Sequence, residues 1–151
     1  MAQIELSLSE EPLAPEAITP ESTGSLEHWA AAVASAGEPC LVLAALTSEI
    51  VAVSPAAAAM LGFTDENGGL GIGMHLFAGI LKLLDFTSAG ARLPDSEMEK
   101  IPPVLACSSG RLARGLLRVQ AGEDVRTVDA VSAPLFDGRK VVGSLTFFSQ
   151  I

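Results

Sequence analysis

The segment from residue 125 to residue 151 constrains the fold of this chain more than any other. Two runs rich in β-branched and aromatic residues, 125–135 and 140–151, flank Asp137-Gly138. An Asp-Gly pair between alternating apolar runs is typical of a β-hairpin, because glycine accepts the positive φ that tight turns require. The sequence predicts a hairpin with a loop longer than two residues around this pair. Because the chain ends with the second run, we also expect no separate output domain.

Other segments predict three further strands and several short helices. The strand candidates are residues 40–46, 50–54 and 116–121. Ser25 is a favourable N-cap for a helix over 25–36 that ends at Gly37. Two helix candidates follow, residues 55–61, which Pro55 opens, and residues 74–86. A capping box at 96–99 predicts a further helix. Pro102-Pro103 would interrupt that helix, and a new turn would follow over 104–108.

Grouped strands with helices between them indicate an α+β fold with an antiparallel sheet. A chain of 151 residues is long enough for one domain with a sizeable core. We divide it into a flexible acidic arm over 1–24, a flanking helix over 25–37 and a folded domain over 38–151.

The charge of the chain argues against nucleic acids and anionic membranes as partners. The net charge is −9, and ten acidic residues precede the first basic residue, Lys82. Such a field repels phosphates. The acidic half either keeps an apolar domain in solution or faces a basic partner protein.

The two cysteines, Cys40 and Cys107, stand far apart without a CxxC pair, so we expect reduced thiols and no metal site. No apolar run has the length of a membrane span, and the N-terminus lacks the pattern of a signal peptide. These observations predict a cytoplasmic protein.

Two segments resemble the PAS domain family of bacterial sensor proteins. CLVLAALTSEIVAVSPAAAAMLGF resembles the opening hairpin and small helix of the family, with Gly62 at its glycine position. RLARGLLRVQAGEDVRTVDAVSAPLFDGRKVVGSLTFFSQI resembles the three closing strands. Ser54 stands where the family often has Asn, and the end of the chain lacks the Asp that usually begins an output linker.

The resemblance implies a five-stranded antiparallel sheet in the order 2-1-5-4-3, with short helices over one face. It also implies either a small molecule bound between sheet and helices, or dimerisation through the other face and a flanking helix. The implied haem ligand would lie on the helix before the third strand, which has no histidine. We therefore expect His28 and His75 not to bind haem. Covalent flavin is also not expected, because residues 68–73 carry no cysteine, but non-covalent flavin remains open.

Motifs for catalysis are not evident. Residues 69–73 do not match GxGxxG, and residues 110–115 lack the Lys and Ser/Thr that complete a phosphate-binding loop. No serine sits in a nucleophile elbow, and two histidines offer little general-base capacity. We expect a protein that is not an enzyme and has no cofactor.

Alternation along the last strand suggests where a ligand would bind. Residues 141, 143, 145, 147 and 151 would share one face, and Gly143 would leave space beneath the helices. The candidate lining residues are Phe77, Leu81, Leu84, Leu117, Val119, Val131, Leu145 and Phe147. A filled core without a ligand is the alternative. Sparse polar groups favour a fatty-acid-like apolar metabolite.

The opposite face of that strand suggests an interface. The candidate residues are Leu26, Trp29, Val33, Val142, Thr146 and Phe148. A large apolar face needs a cover, so we expect a homodimer in which the flanking helix and open face meet their symmetry mates. The alternative is a monomer whose helix folds back on its own sheet. The preferred function is a sensory and interaction module with a signalling protein partner, and the alternative is a ligand-dependent sensor.

Overall fold

A computed structural model of the chain describes residues 21–63, 71–78 and 81–151, with the side chains of residues 21–25 excepted. Most of the predicted arm, 1–24, therefore lies outside the described residues. The elements in chain order are α1 (Glu21–Ala34), β1 (Cys40–Ala44), β2 (Ile50–Val53), α2 (Pro55–Leu61), β3 (Leu83–Leu84), α3 (Asp95–Met98), α4 (Pro102–Ser109), β4 (Ala113–Ala121), β5 (Asp124–Asp137) and β6 (Lys140–Gln150).

The strands form one antiparallel sheet in the order β2-β1-β6-β5-β4-β3. The five predicted strands correspond to β1, β2, β4, β5 and β6, and their predicted order is confirmed. The two-residue strand β3 is added at the edge beside β4. The predicted α+β class is therefore correct, with six strands in place of five.

The hairpin of β5 and β6 has a tighter turn than predicted. Asp137 pairs with Lys140, so only Gly138 and Arg139 form the loop. Gly138 has a φ of 64°, which a side chain would make unfavourable. The predicted hairpin is confirmed, and the predicted longer loop is wrong.

The predicted helix over 74–86 does not form in the described residues. Residues 74–78 lie in turns, and Leu83 pairs with Val119 in the sheet. The Asp85 carboxylate accepts hydrogen bonds from the N–H groups of Thr87 and Ala91, which shapes a tight turn after β3. The pairing of β3 with β4 and this turn supply hydrogen-bond partners for the backbone of the segment. The helical spacing of its apolar residues predicts neither feature.

Three predicted helix starts also differ from the structure. α1 begins at Glu21, so Ser25 lies inside it and is not its N-cap. α3 begins after Pro94, and Ser96 makes no capping box. Pro102-Pro103 do not interrupt a helix but open α4, because a proline in the first turn lacks an N–H that would have no helical partner there.

The sheet carries a separate apolar core on each face. We call the face covered by α2 and α4 the inner face, and the face against α1 the outer face. The inner core is the larger one, and its biggest fully buried side chains are Phe63, Leu41, Leu43, Ile50, Leu61 and Leu76. The outer core is formed by Val33, Cys40, Val42, Ala52, Leu135 and Leu145.

A β-bulge in β6 reverses the predicted assignment of faces. Leu135 pairs with Gly143 and Phe136 with Val141, so Val142 is the extra residue. Val141 lies near Gly110 at the end of α4, on the inner side, as predicted. After the bulge the alternation is inverted, because one inserted residue moves every following side chain to the other face. Leu145 and Phe147 thus lie on the outer face and Phe148 in the inner core, opposite to the prediction.

Candidate functional site

Helix α1 folds onto the outer face of its own sheet. Leu26, Ala30 and Ala36 pack against the outer core, together with Val142 from β6. The approach is close at Gly143, where an added Cβ would lie 2.9 Å from Leu26 Cδ1. The small glycine therefore lets the first described turns of α1 contact β6 directly.

An apolar groove lies beside α1 on this face. Trp29 and Phe147 form its exposed sides, with 37% and 45% of their surface accessible. The groove has a volume of about 200 Å³, and its other lining residues are Ala32, Val33, Ala36, Glu38, Cys40 and Leu145. Two large aromatic side chains thus remain half exposed around a shallow, almost wholly apolar surface.

The exposed apolar surface continues across β5 to β4. Phe147 pairs with Val131, which in turn pairs with Arg114. Leu116 follows two residues later on the same face of β4 and is 51% exposed. The Arg114 guanidinium binds Asp129 at 2.6 Å between these apolar side chains. We call the uncovered strip the exposed side of Trp29 on α1 together with Val131, Phe147 and Leu116 on the strands beside it.

Ser54 connects three parts of the domain. Its buried hydroxyl donates to the Glu38 carbonyl at 2.7 Å and accepts from the N–H groups of Cys40 and Ala57. Ala57 lies in the first turn of α2, so Ser54 is the N-cap of that helix. The segment between α1 and β1 is thereby tied to the start of α2.

Helix α4 lies directly on the inner face of β4 and β6. The Ser144 hydroxyl donates to the Pro103 carbonyl at 2.8 Å, and the buried Ser132 and Thr146 hydroxyls are 2.6 Å apart. A Cβ on Gly115 would lie 3.5 Å from Pro102, which is ordinary contact. The first turn of α4 therefore contacts β4 and β6 directly.

Open space is found instead at the β3 edge of the sheet. A cavity of about 320 Å³, which we call the edge cavity, is lined by Phe77, Leu81, Lys82, Leu83, Leu84, Arg92, Met98 and Gln120. Strand β3 is held there by the hydrogen bond from the Gln120 N–H to the Lys82 carbonyl. The walls are mainly apolar, and the polar side chains are two cations and one amide.

A second, wider cavity of about 640 Å³ adjoins the edge cavity. The two share Phe77, Arg92 and Met98. The wider cavity is more polar, with Ser48, His75, Asp95 and Glu99 among its lining residues. Phe77, Arg92 and Met98 thus line both cavities.

The fold is similar to that of solved PAS and LOV domains. The PAS domain of a protein from Colwellia psychrerythraea is 17% identical with a TM-score of 0.55, over 83% of this chain and 96% of that chain. The LOV protein of Rhodobacter sphaeroides is 14% identical with a TM-score of 0.55, over 89% and 69%. The PAS domain of an HTR-like protein from Haloarcula marismortui is 15% identical with a TM-score of 0.50, over 85% and 99%. This chain has a PAS fold.

No protein-family model matches the sequence, and no curated protein matches it significantly. The PAS fold is therefore established by the three-dimensional arrangement of the strands and helices. At these identities the likeness extends to the fold and not to a bound molecule.

Within this PAS fold the predicted lining residues fall into three groups. Phe77, Leu81 and Leu84 line the edge cavity. Leu117 and Val119 belong to the filled inner core. The third group lies on the outer face and comprises Val131, Leu145 and Phe147. The first group therefore meets at the edge cavity, and Leu145 and Phe147 line the groove on the outer face. Ligand binding by any of these residues stays a prediction.

The predicted interface residues are also divided between the two faces. Leu26, Val33 and Val142 pack within the outer core of their own domain. Thr146 and Phe148 are buried on the inner face, so they are not available on the outer face. Trp29 alone of the six is exposed beside the groove. Dimerisation itself stays a prediction.

Sequence reasoning missed Lys82, Arg92, Met98 and Gln120 as lining residues of the edge cavity. One signal was present, because Lys82 interrupts the apolar run from Leu81 to Leu84. A cation within such a run is typical of a sheet edge or a cavity mouth. The sequence carries no comparable signal for Arg92, Met98 and Gln120, because they come from separate parts of the chain.

Burial and hydrogen bonding shift the pKa values of several described groups. Burial raises the pKa of the Cys40 and Cys107 thiols, so both remain protonated at neutral pH. The hydrogen bond from the Thr87 hydroxyl lowers the pKa of the Asp85 carboxyl.

The described residues contain no group of three His, Cys, Asp or Glu side chains placed to hold a metal ion. None of the described helices has both the length and the apolar character of a bilayer span.

Proposed function

We propose that this chain is a non-catalytic PAS sensory and protein-interaction module of bacterial signalling or transcriptional regulation. It acts through homodimerisation and through binding of a signalling protein partner. The observation that supports this proposal is the uncovered strip, in which Trp29 and Phe147 are half exposed beside α1. A contiguous exposed apolar patch of this kind usually marks a contact surface.

The strip fits a second copy of the same chain. Two-fold dimers bury the same patch on both partners, so an aromatic pair on one copy can pack against the same pair on the other. Burying the exposed parts of Trp29 and Phe147 would contribute on the order of 1 kcal/mol for each side chain. Phe147 replaces Phe148 in this interface, because the bulge at Val142 turns Phe147 outward.

The mass in solution tests the proposal. Light scattering of the purified chain at tens of micromolar should give the mass of a dimer, and Trp29→Glu with Phe147→Glu should give a monomer. Phe86→Glu is the matched control, because Phe86 is exposed in the turn after β3 and outside the uncovered strip. A monomer mass for the unmutated chain would overturn homodimerisation.

A second candidate function is a ligand-dependent sensor, which the edge cavity favours. Its apolar walls suit a small apolar metabolite such as a fatty acid, and non-covalent flavin is the other ligand considered. Native mass spectrometry of freshly purified protein distinguishes the two functions. A stoichiometric bound compound supports the sensor, whereas a dimer mass with no added compound supports the interaction module.

A further inference from the structure

We propose that the edge cavity binds an amphipathic carboxylate of medium chain length, with its carboxylate between Lys82 and Arg92 and its tail among the apolar side chains. The inference rests on the ligand-sensing function and names the ligand class and the residues that would recognise it. It places the ligand beside β3, at the sheet edge, and not between α4 and the sheet.

The walls of the edge cavity fit the tail of such a ligand. Phe77, Leu81, Leu83, Leu84 and Met98 supply apolar surface from three parts of the chain. The volume of about 320 Å³ has room for roughly ten non-hydrogen atoms, if each takes about the 30 Å³ that a water molecule occupies in the liquid. An eight-carbon fatty acid has this size.

The cations of the edge cavity fit the head group. Lys82 takes part in none of the ion pairs found among the described residues. Arg92 has only a 3.4 Å contact with Asp95, in which both side chains are largely exposed. An exposed pair of this kind is weak, so Arg92 can exchange Asp95 for a ligand carboxylate at little cost.

Acidic groups near the site set the orientation of the ligand. Asp95 and Glu99 line the wider cavity on the other side of Arg92 and would repel a carboxylate there. Lys82 and Gln120 line the edge cavity and not the wider one. The Gln120 side chain already donates one N–H to the Gly122 carbonyl, and an amide group has a second N–H for a ligand oxygen. The carboxylate is therefore expected on the Lys82 side of Arg92.

Calorimetric titration with octanoate tests the inference, with octan-1-ol as the neutral probe. Octanoate should bind, and Lys82→Gln and Arg92→Gln should each weaken its binding by about tenfold, as expected for loss of one charge-assisted hydrogen bond. The matched control is Lys100→Gln, since Lys100 pairs with Glu97 and lines neither cavity. Met98→Trp should abolish binding by filling the cavity.

Two results would overturn the inference: no binding of octanoate, or binding that neither charge variant weakens. If octan-1-ol binds as tightly and Met98→Trp abolishes both, ligand sensing stands but the carboxylate class is wrong. Dimerisation is independent, because the edge cavity shares no residue with the uncovered strip. Should a variant lose its circular dichroism spectrum, NMR shift changes of Leu84 and Gln120 in the unmutated chain with octanoate decide the location.

Discussion

The hydroxyl of Ser54 donates a 2.7 Å hydrogen bond to the carbonyl oxygen of Glu38, which lies in the segment between α1 and β1. The same side-chain oxygen accepts hydrogen bonds from Cys40 on β1 and Ala57 in the first turn of α2. One buried side chain therefore ties the segment that follows α1 to the start of both β1 and α2.

Ser54→Ala should lower the free energy of unfolding by about 2 kcal/mol, because it removes an N-cap and leaves buried N–H groups without an acceptor. Urea denaturation measures the change. Ser35→Ala is the control, since Ser35 is exposed and bonds only to its own helix. A loss of less than about 0.5 kcal/mol for Ser54→Ala would show that water replaces the hydroxyl.

Phe148→Ala and Phe147→Ala should differ greatly in stability, although the residues are adjacent. Phe148 is 6% exposed in the inner core, so Phe148→Ala should lower the free energy of unfolding by about 3 to 4 kcal/mol. Phe147, on the outer face, should cost roughly 1 kcal/mol in the monomeric state. Equilibrium denaturation at sub-micromolar protein concentration gives both values. The reverse ranking would contradict the bulge at Val142.

Gly143→Ala should destabilise the domain by at least about 2 kcal/mol through overpacking. An added Cβ would clash with the Leu43 carbonyl oxygen and contact Leu26 on α1. Gly37→Ala is the matched control, because no atom lies within 4 Å of its added Cβ. Thermal denaturation of both variants measures the effect. Equal melting temperatures would mean that α1 does not pack on β6 at this position.

The Asp129 carboxylate should make stability depend on acid pH. The hydrogen bond from Arg114, together with its charge, lowers the pKa of Asp129 below its ordinary value of 3.8. Since the folded pKa is the lower one, this contribution is present above pH 4 to 5 and is lost as pH falls through the folded pKa. Asp129→Asn should therefore reduce the fall in melting temperature between about pH 5 and pH 3.

The exposed carboxyl of Glu123, in the turn between β4 and β5, provides the control for that experiment. Glu123→Gln should leave the pH profile close to that of the unmutated chain. High salt should bring the unmutated profile towards that of Asp129→Asn, because ions screen a surface pair. Identical profiles for the unmutated chain and Asp129→Asn at low salt would show that the pair with Arg114 contributes nothing.

Local patterns along the chain were sufficient to predict most of the strands of the sheet. Residues 40–46, 50–54, 116–121, 125–135 and 140–151 all contain observed strands, and their order is the predicted one. The small helix after Ser54 was also predictable, because Pro55 and four alanines favour a helix and Gly62 ends it with a φ of 76°. In these segments the intrinsic strand or helix propensity, the turn residues and the pairing of the strands all favour the same structure.

The candidate site was less predictable than the sheet. Phe77, Leu81 and Leu84 all line the edge cavity, although the helix on which the sequence placed them does not form in the described residues. Of their partners, Arg92 comes from the loop between β3 and α3, Met98 from α3 and Gln120 from β4. Residues so far apart in sequence meet only after β3 pairs with β4 and α3 packs beside it.

The sequence by itself determined which segments become strands and that their side chains alternate between two faces. The tertiary structure decided which face meets which helix, because alternation has a period of two and a single bulge at Val142 inverts it for the rest of β6. It also decided that α1 covers part of its own sheet, since the fit of Leu26 against Gly143 depends on contacts between residues distant in sequence. The bulge in β6 and the packing of α1 together place Trp29 and Phe147 at the same exposed groove.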